Sequence, residues 1–322
     1  GERQSESQRV EAVISKRLVS SLKHREYVRV KAGRVGDKLV AAPLARGAGA
    51  AMSLVRADGF CVIEQNSEGF EAGETVTVEL YRPMEEINHT LVCIGSHDLI
   101  LDLLADLLPN RRHGTFLSST HVGSMGGLMA LKRGEAHFAP IHLLDEETGV
   151  YNVSYLKRLF PGQETALIKG VKRIQGIIVQ KGNPKEIRGI EDLKRVRYIN
   201  RQRGAGTRVL LDYKLKELGI APEEIDGYET EAATHMAVAA LVRSGSVDAG
   251  MGILSAANAL GLDFIPVGEE EYDFALLTPT LELKEMKEFL EVLTSGEFRK
   301  RVEEIGGYDC RDSGRVIFCK EE

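Results

Sequence analysis

The chain has 322 residues, of which 43% are hydrophobic and 28% charged, and its formal net charge is −6 at pH 7. This length predicts two or three domains, each large enough to bury an ordinary core. The acidic balance excludes a general nucleic-acid binder, so an anionic ligand would have to be captured by a local site. The sequence shows neither an apolar run of membrane-spanning length nor a signal peptide, and we expect a cytoplasmic protein without membrane or nucleic-acid partners.

The first part of the chain predicts a small β module after a helical lead-in. The helix is indicated by the spacing of four apolar residues, Val10, Val13, Ile14 and Leu18. Residues 25–82 then read as short strands separated by glycines, and apolar side chains alternate along Thr75–Leu80. A β region this short, with such turns, predicts a compact barrel or sandwich.

Four segments of this module resemble the C-terminal β domain of the MoeA/gephyrin family of molybdopterin molybdenumtransferases. They are Arg25–Arg29, Pro43–Ser53, Ala57–Gly59 and Ser67–Glu74. The resemblance covers about residues 10–82 and implies that Arg29 and Ser53 contact an oxyanion, as basic and hydroxyl residues near these positions do in that family. The sequence departs from the family at His24 and Arg25, where an Arg-Pro pair is usual.

The same resemblance implies a longer natural protein. The family's preceding domains, which bind most of the pterin and the metal, are not part of this sequence, and its first residue is a glycine. We therefore expect that this fragment alone does not insert metal and that the full-length protein is a molybdopterin molybdenumtransferase that binds molybdopterin. Since domains of this family usually occur in dimers, a homodimer is also implied.

From His89 onward, strands alternate with helices, which predicts parallel α/β layers. Two loops that follow predicted strands are rich in hydroxyl and glycine residues. Ligands of open α/β sheets bind beyond the carboxyl ends of the strands. We therefore expect ligand contacts from residues of these loops, namely Ser96, His97, Ser119, Thr120, Gly123 and Ser124. For Ser96 the alternative is plain helix capping, because capping and ligand binding use the same position.

An arginine- and glycine-rich loop lies between a predicted strand ending at Ile199 and a predicted helix that Gly219 terminates. Free N–H groups at a helix start, a hydroxyl and fixed positive charge are the components of an anion site. The candidate residues are Arg201, Arg203, Gly204, Gly206, Thr207 and Arg208. The alternatives are a tight turn with solvated arginines and, for Arg208, an ion pair with Asp212 one helical turn further on.

The order of elements after residue 88 resembles the type II periplasmic-binding-protein fold, and specifically its cytoplasmic molybdate-binding-like relatives. The most specific parts are Asn200–Arg208, Thr234–Ala239 and Asp248–Ile253. The fold class expected for the chain is therefore α/β: a β module and helical lead-in over about 1–86, then a two-lobed module over about 87–322. In that module, lobe one would comprise about 87–173 and 273–322, and lobe two about 174–272.

The resemblance implies a small anion in the cleft between the lobes, with molybdate or tungstate as the ligand and Thr234 and His235 as further contacts. Several helix starts aimed at one point replace the hydration shell of such a dianion. Because the loop's arginines exceed what a bare dianion needs, a pterin or another phosphorylated organic anion is the first alternative. A regulatory or interaction module without catalysis is the second. The sequence shows no metal-ligand spacing among its histidines, and no catalytic residues are predicted.

Overall fold

The computed structural model describes residues 8–44, 57–110, 114–145, 147–232 and 234–319. Its N-terminal part is a closed barrel with the strand order β1-β4-β3-β5-β7, and β2 pairs with β6 beside it. The seven strands are β1 (Gln8–Ile14), β2 (Leu18–Val19), β3 (Glu26–Val35), β4 (Lys38–Pro43), β5 (Gly59–Ile63), β6 (Gly69–Phe70) and β7 (Thr75–Leu80). The barrel predicted from the sequence is thus confirmed.

The helical lead-in predicted for the N-terminus is wrong. Residues 8–14 form strand β1, which pairs antiparallel with β7 and parallel with β4. Ala12 and Ile14 point into the barrel core, so the alternation of the strand describes these residues as well as the helical spacing does. Closing the barrel decides between the two, because β1 satisfies the exposed edges of both neighbours.

The second part is built on one ten-stranded mixed sheet with the order β13-β12-β14-β11-β15-β10-β8-β9, with β16 and β17 pairing to β11. Its strands are β8 (Thr90–Gly95), β9 (Phe116–His121), β10 (Phe138–Ile141), β11 (Thr165–Val179), β12 (Tyr198–Arg201), β13 (Glu231–Ala232), β14 (Ala249–Ile253), β15 (Asp263–Leu277), β16 (Tyr308–Asp309) and β17 (Val316–Cys319). The helices, counting from the barrel onward, are α1 (Met84–Asn88), α2 (Leu99–Leu107), α3 (Gly123–Lys132), α4 (Val153–Leu159), α5 (Gly206–Leu218), α6 (His235–Arg243), α7 (Leu254–Ala259), α8 (Lys284–Leu293) and α9 (Gly296–Ile305).

Two long antiparallel strands, β11 and β15, connect the two lobes of this sheet. One half of each pairs with lobe-one strands, as in Phe274 opposite Pro140 of β10. The other half belongs to lobe two, where Ile177 of β11 lies opposite Met251 of β14. Register shifts interrupt the pairing of β11 with β15 on both sides of the crossing, after Ile168 and after Gln175. The two-lobed α/β architecture expected from the sequence is confirmed, and the site lies on these crossing strands.

The barrel packs against lobe one through a shared apolar cluster. Val40 of β4 lies in one core with Val92 and Ile94 of β8, and the hydroxyls of Ser15 and Thr120 share a hydrogen bond of 2.8 Å. Buried contacts of this kind fix the barrel to the lobe that carries one half of the site. None of the helices formed by the described residues is long and apolar enough to cross a membrane.

Candidate functional site

A buried polar cluster occupies the junction between the two lobes. Its central group is the imidazole of His142, which follows β10 in lobe one and contacts the crossing strand β15 and Gly206 of lobe two. Ser96 reaches it from the end of β8, and Glu270 reaches it from β15. Polar side chains that are this well enclosed are kept only when they are hydrogen-bonded, and each of these three is.

Ser96, His142 and Glu270 form a linear hydrogen-bonded chain. The Ser96 Oγ lies 2.7 Å from the Nε2 of His142, and the Nδ1 of His142 lies 2.5 Å from the Oε1 of Glu270. An ionised carboxylate can only accept hydrogen bonds, so the Nδ1 of His142 carries a hydrogen and donates a hydrogen bond to Glu270. The backbone of Ser96 is held as well, since its carbonyl accepts a hydrogen bond of 2.6 Å from the Tyr272 hydroxyl.

Glu270 stays ionised although it is 1% exposed. Burial pushes its pKa upward, but the charges of Arg173 and His142 and the hydrogen bonds from His142 and Gln175 outweigh burial and hold the pKa of this carboxyl well below its usual range. Arg173 is shared between two carboxylates, since its Nη1 also donates to Asp98 Oδ2 at 2.7 Å. The result is a fully buried Asp98–Arg173–Glu270 network on the crossing strands.

Two helix N-termini, one from each lobe, meet at His142. From lobe one, the Ser124 hydroxyl in the first turn of α3 accepts the backbone N–H of His142 at 3.2 Å. From lobe two, α5 begins at Gly206, where a Cβ would overlap the Nδ1 of His142 and lie 2.6 Å from Glu270 Oε1. Neither helix has a side-chain cap on its first N–H groups. Uncapped helix starts present free donors and the positive end of the helix dipole.

Lobe two adds a hydroxyl and two nitrogen-bearing side chains to the cluster. Thr207 donates to the Gln175 Oε1 at 3.0 Å. Arg201 is buried at the end of β12. Burial lowers the pKa of its guanidinium, and the nearby charges of Glu270 and Arg173 act on the same pKa in opposite directions. His235 begins α6; burial first, and then the charges of Arg201 and Arg173, hold its pKa well below the usual value, so the ring is neutral. Its Nδ1 is enclosed without a hydrogen-bond partner.

Three of the predicted lobe-one residues lie apart from His142, on the side where the barrel docks. Thr120 hydrogen-bonds to Ser15 of the barrel. Ser119 shares a hydrogen bond of 3.1 Å with the Nε2 of His121, whose ring stacks on His97 at a centroid distance of 4.1 Å. Gly123, in contrast, opens α3 with a positive φ of 78° and leaves the start of that helix uncovered.

The other loop residues of lobe two also serve local structure. Arg203 is exposed and donates to Glu229 at 2.9 Å. Arg208 is buried, forms an ion pair with Glu231 rather than with Asp212, and covers the ring of Tyr228. Gly204 adopts φ +80°, a conformation that favours glycine, in the turn before α5.

The predicted site residues that remain are Thr234, Arg29 and Ser53. Thr234 caps α6 by accepting the N–H of Ala237 at 3.0 Å. Asp98, rather than Ser96, caps α2, because its Oδ1 accepts the N–H of Ile100. The Ser96 hydroxyl is therefore not used as a helix cap and hydrogen-bonds to His142. Arg29 lies on β3 of the barrel, and Ser53 lies outside the described residues.

Sequence reasoning missed four residues that build the centre of the site: His142, Arg173, Gln175 and Glu270. His142 and Glu270 are separated by 128 positions, so no local spacing could connect them. The signal available in the sequence was the position of Arg173 and Glu270 next to apolar runs, since an arginine or glutamate in a buried strand needs a partner.

Comparisons with known proteins agree with this architecture. Residues 11–81 match the family described as the MoeA C-terminal region (domain IV), and residues 105–294 match the PBP superfamily domain. The chain is 40% identical over 228 residues to the uncharacterized protein YvgK of Bacillus subtilis, an alignment that covers 70% of this chain and 73% of YvgK.

Two solved structures share the fold at low identity. A candidate phosphate ABC transporter substrate-binding protein from Clostridium perfringens, with bound phosphate, aligns at a TM-score of 0.53 and 12% identity over 67% of this chain and 97% of that one. The sulfate-binding protein SubI from Mycobacterium tuberculosis aligns at a TM-score of 0.50 and 14% identity over 68% and 85%. With the PBP model covering more than half of its length, the chain belongs to the PBP superfamily and carries a MoeA C-terminal region in front of that domain.

Proposed function

We propose that the cleft between the two lobes captures a small oxyanion, with molybdate or tungstate as the preferred ligand. The observation that carries this proposal is the meeting of two uncapped helix starts, from opposite lobes, at His142. The N–H groups that open α3 and α5 are donors that need no rearrangement, and together with the hydroxyls of Ser96 and Ser124 they can replace the hydration shell of a tetrahedral anion.

Positive charge at the site comes from Arg173 and Arg201, and His235 of lobe two adds a ring nitrogen without a hydrogen-bond partner. Arg173 is matched by Glu270 and Asp98, so its charge holds the crossing strands together. Arg201 is also buried, with 8% of its surface exposed. The enclosed Nδ1 of His235 supports the proposal independently, since a buried polar atom without a hydrogen-bond partner is one that a bound anion or its water would satisfy.

The choice of molybdate or tungstate rests on the combination of domains. The solved relatives of similar fold include proteins described as binding phosphate and sulfate, which are tetrahedral anions of the same shape. The MoeA C-terminal region in front of this module associates it with molybdenum chemistry. We therefore propose that the module binds the oxyanion in the cytoplasm and delivers or senses it during cofactor assembly.

The alternative of a phosphorylated pterin has less support than the sequence indicated. It relied on three arginines gripping a phosphate, but Arg203 and Arg208 are engaged by Glu229 and Glu231. These two ion pairs leave Arg201 as the arginine that this loop contributes to the cluster.

Thermal-shift and calorimetric titrations with molybdate, tungstate, sulfate and phosphate test the proposal. We expect saturable binding of molybdate and tungstate, and a shift in the unfolding temperature that follows from binding the folded state alone. The variant Ser96→Ala should weaken binding at least tenfold, and Ser244→Ala, a hydroxyl on the far side of lobe two that bonds only to its own helix and to Ser246, should not. No shift with any of the four anions would refute oxyanion binding, and a shift with phosphate or sulfate alone would refute the preference.

A further inference from the structure

The donors at the junction of the lobes converge on one carboxylate, that of Glu270. Its Oε2 accepts hydrogen bonds from the Nε and Nη2 of Arg173, at 3.0 and 2.5 Å, and from the Nε2 of Gln175 at 2.5 Å. Its Oε1 accepts from the Nδ1 of His142 at 2.5 Å and lies beside Gly206, the first residue of α5. Guanidinium and amide donors around a helix start are the groups with which proteins bind a carboxylate or an oxyanion.

These donors are held in place by contacts that do not involve Glu270. Thr207 donates to the Oε1 of Gln175 at 3.0 Å, which turns the Nε2 of that amide toward Glu270. Asp98 accepts from the Nη1 of Arg173 at 2.7 Å and so holds the guanidinium from its other side. The donors therefore keep their arrangement around any small anion that takes the place of the Glu270 carboxylate.

Glu270 lies on the segment that connects the lobes. It is on β15, between the two places where the pairing with β11 shifts register, after Ile168 and after Gln175. Its contact with Gly206 joins it to lobe two, and its hydrogen bond to His142 joins it to lobe one. Separation of the lobes is the movement by which two-lobed binders open. That movement breaks contacts on one side of this carboxylate.

We propose that the Glu270 carboxylate is an internal ligand: it fills the half-site formed by Arg173, Gln175 and the start of α5 until an external oxyanion replaces it. The incoming anion takes over these donors and Glu270 turns away from them, without any change of covalent bonds. A dianion has more charge and more acceptor oxygens than a monoanion, so it displaces the carboxylate more readily. This inference rests on the proposed oxyanion binding and adds how that site is regulated.

Glu270→Ala removes the internal ligand and leaves its donors in place. Calorimetric titration with molybdate should show an affinity about tenfold or more above that of the unmodified protein, because no carboxylate has to be displaced. Glu269→Ala is the matched control, since Glu269 is the neighbouring residue on β15, its side chain is 59% exposed and it pairs with Lys172. It should leave the affinity within about twofold of that of the unmodified protein.

Sodium formate distinguishes occupation of the half-site from a simple change of charge. Formate is a free carboxylate small enough for the space that the alanine variant opens. It should raise the unfolding temperature of Glu270→Ala above that in sodium chloride of equal ionic strength, and it should compete with molybdate. The unmodified protein should show neither effect, because Glu270 already fills the half-site. A change of charge alone would strengthen molybdate binding without creating a formate site.

The outcomes separate the two proposals. If molybdate binds the unmodified protein, then an equal or lower affinity of Glu270→Ala, or a lack of stabilisation by formate, refutes the internal ligand and leaves oxyanion binding intact. If none of molybdate, tungstate, sulfate and phosphate binds either protein, oxyanion binding fails and the internal ligand fails with it. Should Glu270→Ala not fold, Glu270→Gln replaces it, because the amide keeps the shape of the side chain without its charge. A molybdate affinity that does not rise in Glu270→Gln also refutes the internal ligand.

Discussion

Replacing Arg173 by methionine should destabilise the two-lobed module more than any comparable arginine change at its surface. Arg173 is 3% exposed and its guanidinium bonds to both Glu270 and Asp98, which are 1% and 4% exposed. Methionine fills much of the volume but removes the guanidinium to which both carboxylates bond. Removing one partner of a buried ionic network costs roughly 3–5 kcal/mol, which for a module of this size lowers the unfolding temperature by about 10 °C.

Arg203→Met is the matched control, because the Arg203 side chain is 76% exposed and pairs with Glu229, itself 69% exposed. An exposed pair of this kind contributes less than about 1 kcal/mol. The chain has no tryptophan, so far-ultraviolet circular dichroism is the signal to follow during thermal and urea unfolding. Adding Glu270→Gln to Arg173→Met should restore part of the loss. If Arg173→Met cost no more than the surface control, the argument from buried charge would be refuted.

Three further predictions follow from the site and its surroundings. Gly206→Ala should block closure of the cleft and weaken molybdate binding by about 1–3 kcal/mol. Gly268→Ala should not weaken binding, because its Cβ would meet only Leu210 atoms at 3.7 Å or more. Equal affinities of the two variants in calorimetry would contradict this prediction. Arg201→Met should lower anion affinity at least tenfold and Arg203→Met less than about twofold, and a similar loss in both would show that the outer ion pairs also serve the ligand. Burial lowers the pKa of His137 to about 4, below the unfolded value of about 6.5. The free energy of unfolding should therefore fall by roughly 3 kcal/mol as the pH drops through this window, and a fall of the same size in His137→Gln would assign the effect elsewhere.

The sequence alone predicts the alternation of strands and helices from residue 89 onward, whereas the ends of several strands differ from the prediction. The helix stop at Gly219 agrees with its local signal, because turn chemistry depends on residues within one helical turn. The strand predicted to end at Ile199 continues to Arg201, and Thr234 caps α6, a role that was not predicted from the sequence. The prediction failed at residues 8–14, where apolar spacing is compatible with both helix and strand and the closing barrel decides.

The centre of the site was decided only by the tertiary structure. The loop at 200–208 contributes Arg201, Gly206 and Thr207 to the cluster, but its other two arginines form ion pairs with Glu229 and Glu231. His142 and Glu270 are 128 positions apart in the sequence, but the pairing of β10 with β15 in the folded sheet brings their side chains to 2.5 Å. A charged residue within a buried strand indicates that it has a partner. Which residue is that partner, and what the pair can bind, depends on how the two lobes pack.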